Sequence, residues 1–367
     1  MASVDIVVPE LADRDATGAH SLMLARLLGE RGVDVRLVVQ RADPRLDERA
    51  SLRVTSLRRW RRPADVVVLQ HAIGSLAAQA VIDRRLPVVV NYHNITPWEF
   101  LEPWESELVG GLRWGREQLE HLARRAVLGL ADSAYNGAEL ERIGFRDVRV
   151  TPILFDRARW EASAPPAVVD RLRRRVGAGP VWLFVGRLAP NKAQHDLVAA
   201  FAAFAASASS SGHAAHDARL MLVGGASSPR YARAVEELAG RLGVGDSVVF
   251  AGSVGDDELA ACYELADVFV CLSDHEGFCV PLLEAMAREV PIVAYDAAAV
   301  SETLAWAGLV LSDKAPLTVA GAVGRVLDDP ALAAGLSARG RRRLDDFDLR
   351  RTSGLLMDAL SPLLDRR

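Results

Sequence analysis

Lysine is almost missing from this chain: of its 44 basic residues only Lys192 and Lys314 are lysines, and the rest are arginine. In a sequence so biased toward arginine and alanine, an arginine cluster says little about function, whereas each lysine draws attention. An excess of positive charge is also lacking. The formal charge of −4 supplies no broad electropositive footprint and argues against a dedicated nucleic-acid binder. Cysteine is scarce, and Cys262, Cys271 and Cys279 form no C-x-x-C pair and leave an odd thiol, the pattern of a reducing compartment. No run of 18 apolar residues occurs, and no basic segment or long apolar core precedes Asp5. The expectation is a cytoplasmic protein without a spanning segment, with peripheral association at the inner membrane face left open.

What is present is the composition of an ordinary folded protein. With 50% apolar and 25% charged residues, a chain of 367 residues exceeds one compact core and suits two domains. Short apolar runs alternate with amphipathic segments: Asp5 to Pro9, a helix from about Ser21 to Arg31, Val33 to Val39, then Asp65 to Leu69, Pro87 to Tyr92 and Ala126 to Ala131. These runs are continuous, as strands covered on both faces require, so the class is α/β with parallel sheets. The polar, proline-bearing stretch Arg157 to Pro180 reads as a linker containing an arginine-rich helix. A second series of strands follows near 181–185, 219–223, 247–251, 268–272, 291–295 and 308–311. The expected organisation is one Rossmann-like domain over 1–160, a second over 161–345, and a C-terminal helix over 346–367 packing back on the first. Ala205 to His216, rich in alanine and serine, reads as a solvated insertion.

Ligands of such sheets bind beyond the carboxyl ends of the strands. After Leu272 comes Ser273-Asp274-His275-Glu276-Gly277-Phe278-Cys279-Val280-Pro281-Leu282-Leu283-Glu284. Pro281 suits a first helical turn, so Glu276 falls in the loop, Glu284 falls near the turn, and both carboxylates can reach one cleft. The N–H groups of Gly277, Phe278, Cys279 and Val280 open a helix N-terminus, a place prepared for a diphosphate. A second string, Gly186-Arg187-Leu188-Ala189-Pro190-Asn191-Lys192, follows the strand ending at Val185. Its glycine permits close approach, and its two cations can neutralise one anion. Either string alone is more often a surface loop.

With both strings in place, the chain resembles the retaining GT-B glycosyltransferases of family GT4, the glycosyl transferases group 1, which carry E-G-F-x-x-P-x-x-E and G-R-x-x-x-x-K in their second domain. The resemblance implies two Rossmann-like domains with parallel sheets facing an interdomain cleft. It also implies transfer of a hexose, mannose or glucose favoured, from a GDP- or UDP-hexose to a glycan, lipid-linked or small-molecule hydroxyl, without metal or other cofactor. By the same resemblance Glu276 contacts the sugar, Glu284 holds the ribose, and Gly186, Arg187, Lys192 and the amides of Gly277, Phe278, Cys279 and Val280 hold the diphosphate. Gly18, within Asp15 to His20, takes the position of the family's glycine-rich loop, with the usual glycine pair reduced to one. Val254, beside Gly255, matches the loop that cradles the base, and Ser301-Glu302-Thr303 opens a helix near the site. His93, within Asn91 to Pro97, is implied to lie by sugar and acceptor, with His71 a neighbour. Cys279 stands where glycine is most often found.

Other features stay outside this scheme. Asp13 with Asp15, and Asp346 with Asp348, spell D-x-D but sit in no ligand cluster. Trp98, Phe100, Trp104 and Trp114 suit either an acceptor platform or core anchors. Arg53, Arg58, Arg59, Arg61 and Arg62 around Trp60 suit a solvated edge more than a surface docked on anionic lipid. The competing functions are a nucleotide-sugar epimerase, a glycoside phosphorylase, or a non-catalytic nucleotide-sugar-binding module on the same scaffold.

Overall fold

The computed structural model describes residues 2–11, 16–42, 52–211 and 217–365, which form two compact units. The first is built from residues up to Glu99, from Ser106–Phe155 and from Phe347 onward; the second from Phe100–Glu105 and Asp156–Asp346.

The first unit holds strands β1 (Ser3–Leu11), β2 (Asp34–Ala42), β3 (Arg53–Ser56), β4 (Val66–His71), β5 (Val88–Tyr92), β6 (Ala126–Ala131) and β7 (Val148–Val150), with helices α1 (Ala16–Glu30), α2 (Leu76–Asp83), α3 (Ser106–Ala123) and α4 (Ala134–Ile143). The sheet is parallel throughout, in the order β3-β2-β1-β4-β5-β6-β7. In the second unit, helices α5 (Arg157–Glu161) and α6 (Pro166–Val176) precede strands β8 (Val181–Val185), β9 (Arg219–Val223), β10 (Val248–Gly252), β11 (Val268–Cys271), β12 (Ile292–Tyr295) and β13 (Leu309–Leu311). Their order is β10-β9-β8-β11-β12-β13, again all parallel. Helices α7 (Gln194–Ser211), α8 (Pro229–Arg241), α9 (Asp256–Glu264), α10 (Val280–Ala287), α11 (Val300–Leu304), α12 (Pro316–Asp328) and α13 (Pro330–Leu344) cover it, and α14 (Leu349–Leu364) returns to the first unit.

Strand periodicity assigns the faces. Val4, Ile6 and Val8 of β1 point to one side and enter a core with Leu24, Ala25 and Leu28 of α1 and Leu356, Met357 and Leu360 of α14. In the second unit Trp182 anchors the core between Phe201 and Phe204, with ring centroids 5.6 and 5.2 Å away. Strand order reverses between β1 and β4 and between β8 and β11. These are the two topological switch points, and the loops leaving their carboxyl ends are where a ligand finds a crevice.

Several expectations need correction. Strands β3 and β7 were not foreseen: as three- and four-residue edges with mostly exposed side chains they carry no apolar run. Helix α1 starts at Ala16, so Gly18 lies buried in its first turn and not in an open loop. Alanine favours helix, and α7 runs on through the expected insertion to Ser211. The remainder of that insertion, and Asp13 and Asp15, lie outside the described residues. Trp60 is buried, with its indole N–H donating to Asp5 at 2.7 Å, so it offers no aromatic face to a lipid surface. Among the described residues no helix is long and apolar enough to cross a membrane.

Asp5 is fully buried and accepts from Arg36 Nε and Nη2 at 2.8 Å each, from Trp60, and from the Ala64 N–H at 2.8 Å. Removing it strands a guanidinium and an indole N–H. Asp5→Ala is expected to cost about 3 kcal/mol, read as a lowered urea midpoint with an unchanged m-value; a cost under ~1 kcal/mol refutes this account.

Candidate active site

The turn after β8 and the turn after β9 touch backbone to backbone. A Cβ built on Gly224, at φ +142°, would lie 2.1 Å from the Gly186 carbonyl oxygen, so only glycine fits. Leu188 N–H donates to Gly225 O at 2.9 Å, and Ser227 N–H to Leu188 O at 3.0 Å. This pairing presents Arg187 outward, exposed, and its guanidinium has no partner among the described residues. Gly224 and Gly225 were not singled out from the sequence, although a glycine pair directly after an apolar run was the available signal.

Lys192 projects from the same turn, and its Nζ lies 2.6 Å from Glu276 Oε2. The carboxylate comes from the loop after β11, the strand beside β8. Burial opposes the charge on Lys192, but Glu276 and the thiols of Cys279 and Cys271 hold its ammonium above the ordinary lysine value. The loop is braced on several sides. Asn191 donates from Nδ2 to His275 O at 3.4 Å and accepts Asp274 N–H at 2.9 Å. Ala299 N–H donates to Glu276 O at 3.1 Å, and the Thr303 hydroxyl to Phe278 O at 2.6 Å. Lys314 Nζ pairs with Asp274 at 2.5 Å and Asp196 at 2.6 Å.

The segment from Gly277 to Val280 leads into α10, with Cys279 left-handed at φ +70° immediately before the helix. One turn into α10, Glu284 is buried and accepts the Tyr263 hydroxyl at 2.7 Å. Burial raises its pKa to about 7, and Tyr263 and Arg159 offset that only in part. The structure thus brings Gly186, Arg187, Lys192, Glu276, Gly277, Phe278, Cys279, Val280 and Glu284 onto the β8 turn and the β11–α10 connection. Val254 follows the edge strand β10, whose Gly252 O accepts the Gly224 N–H at 2.9 Å.

Gly18 and His93 belong to the first unit. His93 follows β5, with Nδ1 2.8 Å from Asp132 Oδ2 and Nε2 2.6 Å from Gln70 Oε1, so both ring nitrogens are engaged. Its loop is fixed by Tyr92, which donates to Glu139 at 2.6 Å, and by Arg116, which pairs with Glu139 and donates to Ile95 O. Asp132, Gln70, Arg116 and Glu139 were missed in the sequence, since their partners lie 21 to 47 residues away. His71 is a core histidine: it is fully buried, Nε2 lies 3.0 Å from Gly115 O, and burial lowers its pKa to about 4. Of the aromatics considered for an acceptor platform, Phe100 packs against His275 in the second unit, with ring centroids 6.3 Å apart. Trp104 packs edge-on against Tyr231 at 5.2 Å within the second unit, whereas Trp98 carries Arg113 at 3.8 Å within the first. Asp348 caps α14, and Asp346 pairs with Arg343 at 2.7 Å.

The Glu284 carboxyl titrates near 4.5 when unfolded and near 7 when folded, so between these pH values the folded chain holds the extra proton. Its stabilising contribution is present below the lower value and lost as pH rises to the upper, roughly 3 kcal/mol in all. Glu284→Gln should flatten that part of a stability–pH curve and be the more stable protein at alkaline pH; an unchanged slope contradicts the raised pKa. Gly224→Ala, with no room for its methyl, should displace the Gly186 turn and be strongly destabilised in a thermal melt.

Residues 172–343 match the family model for Glycosyl transferases group 1. A GDP-mannose-dependent alpha-(1-6)-phosphatidylinositol monomannoside mannosyltransferase of Mycobacterium tuberculosis is 35% identical over 180 residues, covering 47% of this chain and 44% of that protein. A D-inositol 3-phosphate glycosyltransferase of Kineococcus radiotolerans is 32% identical over 246 residues, covering 64% and 56%. The chain spans about half the length of the curated relatives it matches. The solved structure of Anabaena HepE in complex with UDP and glucose superimposes with a TM-score of 0.77, covering 99% of this chain and 100% of that one at 18% identity, and shows the same GT-B fold. The matched region holds both the Gly186–Lys192 turn and the Glu276–Glu284 segment, so over these residues this chain is similar to the glycosyl transferases group 1 family.

Proposed function

We propose that this chain is a retaining, metal-independent hexosyltransferase that moves mannose or glucose from a GDP- or UDP-hexose to a hydroxyl of a glycan, lipid-linked or small-molecule acceptor. The observation that carries this is the Lys192–Glu276 ion pair, which ties the turn bearing the exposed Arg187 to the loop that leads into α10. The named mycobacterial relative depends on GDP-mannose, and the HepE structure holds UDP and glucose, which supports a nucleotide-hexose donor.

In the reaction the bond from the anomeric carbon to the β-phosphate oxygen breaks, and a bond to the acceptor oxygen forms on the same face. The acceptor proton passes to the departing phosphate. Arg187, Lys192 and the amides from Gly277 to Val280 meet the negative charge that develops on the diphosphate, the task a divalent metal performs elsewhere. Glu276, oriented by Lys192, faces the sugar. Glu284 takes the ribose hydroxyls and must be ionised to accept both, so donor affinity should rise as pH passes through about 7 and level off above it. In Glu284→Gln that dependence should vanish.

The decisive experiment uses purified protein, UDP- and GDP-hexoses, and EDTA throughout. Because the exposed Arg187 side chain has no partner among the described residues and its carbonyl bond from Gln194 survives truncation, Arg187→Ala should keep its stability within about 0.5 kcal/mol while losing roughly 10²- to 10³-fold in turnover. NMR of the transferred sugar should show the donor's anomeric configuration retained. Turnover surviving Arg187→Ala, or requiring added divalent metal, overturns the proposal; donor turnover that needs no acceptor points instead to an epimerase.

A further inference from the structure

Cys271 ends β11 and Cys279 immediately precedes α10, so the two thiols bracket the loop that carries Glu276. Both are buried, their Sγ atoms are 4.0 Å apart, and a Glu276 carboxylate oxygen completes a set of three ligand atoms all within 4.8 Å of one another. We infer that Cys271, Cys279 and Glu276 form a binding site for a soft divalent cation of the Zn²⁺ class, and that this cation and the sugar-nucleotide donor exclude one another.

The geometry is close to what such an ion needs. Zinc–sulfur bonds of about 2.3 Å at a tetrahedral angle place two thiolates ~3.8 Å apart, so the sulfurs need move only by tenths of an ångström. The carboxylate needs a shift of about 1 Å to reach bonding distance, leaving a fourth position for water. Two thiolates select zinc or cadmium over magnesium or calcium. Charge also balances: binding expels two thiol protons to solvent, and the three anionic ligands then meet a divalent cation and the ammonium of Lys192, a net of zero in a buried place. Cys279 adds an independent mark. At φ +70° it holds a conformation that costs an L-residue about 1 kcal/mol and that glycine adopts freely, yet a thiol stands there. Ligation draws Glu276 away from Lys192, 2.6 Å distant in its absence. The exclusion of donor rests on the reading of Glu276 under Proposed function; the cation site does not.

The test uses the reduced 367-residue chain, freed of metal, with Zn²⁺ alone as ligand in calorimetry and Cd²⁺ alone as probe of thiolate charge-transfer absorption. One ion per chain, a cadmium–thiolate band, and a raised unfolding temperature in Zn²⁺ are expected. Cys271→Ala and Cys279→Gly should abolish the band and weaken Zn²⁺ binding by at least the roughly 10- to 100-fold that loss of a mere supporting partner costs. Glycine suits the left-handed backbone, so Cys279→Gly tests the site even where Cys271→Ala fails to fold. Cys262→Ala, on α9 and outside the three-ligand set, should bind like wild type. No binding by wild type, an undiminished band in Cys279→Gly, or a band lost in Cys262→Ala overturns the site. Donor binding in wild type should fall in saturating Zn²⁺ and return with EDTA. If Zn²⁺ binds through both thiols but leaves donor binding unchanged, the exclusion fails and with it the placement of Glu276 at the donor, while the Arg187→Ala result judges the transferase reading separately.

Discussion

The Lys192–Glu276 ion pair joins loops from two neighbouring strands, β8 and β11, that diverge at the point where strand order reverses. Pulling two charges from water is costly, and a hydrophobic pair would serve stability as well. The pair makes sense as preorganisation: each group fixes the other in a place where neither is fully solvated. Both lysines of the chain act on this one loop, Lys192 through Glu276 and Lys314 through Asp274. In a protein otherwise supplied with arginine, the compact point charge of lysine is used where a single carboxylate must be held and a planar fork is not required.

Around that pair the fold accepts strain. Cys279 is left-handed, Glu284 is buried at the expense of its ionised form, and the Gly186 and Gly224 turns touch without side chains between them. Each of these lowers stability or leaves no tolerance for change, and each lies at the carboxyl end of the same sheet. Sites that must present fixed charge to a ligand are where a fold departs from its own optimum. The core beneath wedges Trp182 between Phe201 and Phe204 and makes a compromise of its own, since the buried Trp182 indole N–H finds no hydrogen-bond partner among the described residues.

How legible these features were depended on how local they are. Strands β8 and β11 are short continuous apolar runs, and the strings that follow them announce a turn and a helix through Gly186 and Pro281. The edge strands β3 and β7 were hidden because an exposed edge needs no apolar run. Trp60, set among arginines, looks like a surface residue until Asp5, 55 positions earlier, claims its N–H. The same holds for Asp132 and Gln70 on His93, and for Tyr263 on Glu284: nothing adjacent in sequence marks them as partners.

By itself, then, the sequence determined the parallel α/β class and the approximate place of each principal strand, and it singled out Arg187, Lys192, Glu276 and Glu284 as candidate groups, because periodicity, turn chemistry and short motifs act over a few residues. Only the tertiary structure decided which of them meet. Lys192 and Glu276 lie 84 residues apart. The burial that raises the pKa of Glu284, the left-handed turn of Cys279 and the nearness of its thiol to Cys271 likewise arise from packing, since desolvation and contact depend on distance through space and not along the chain.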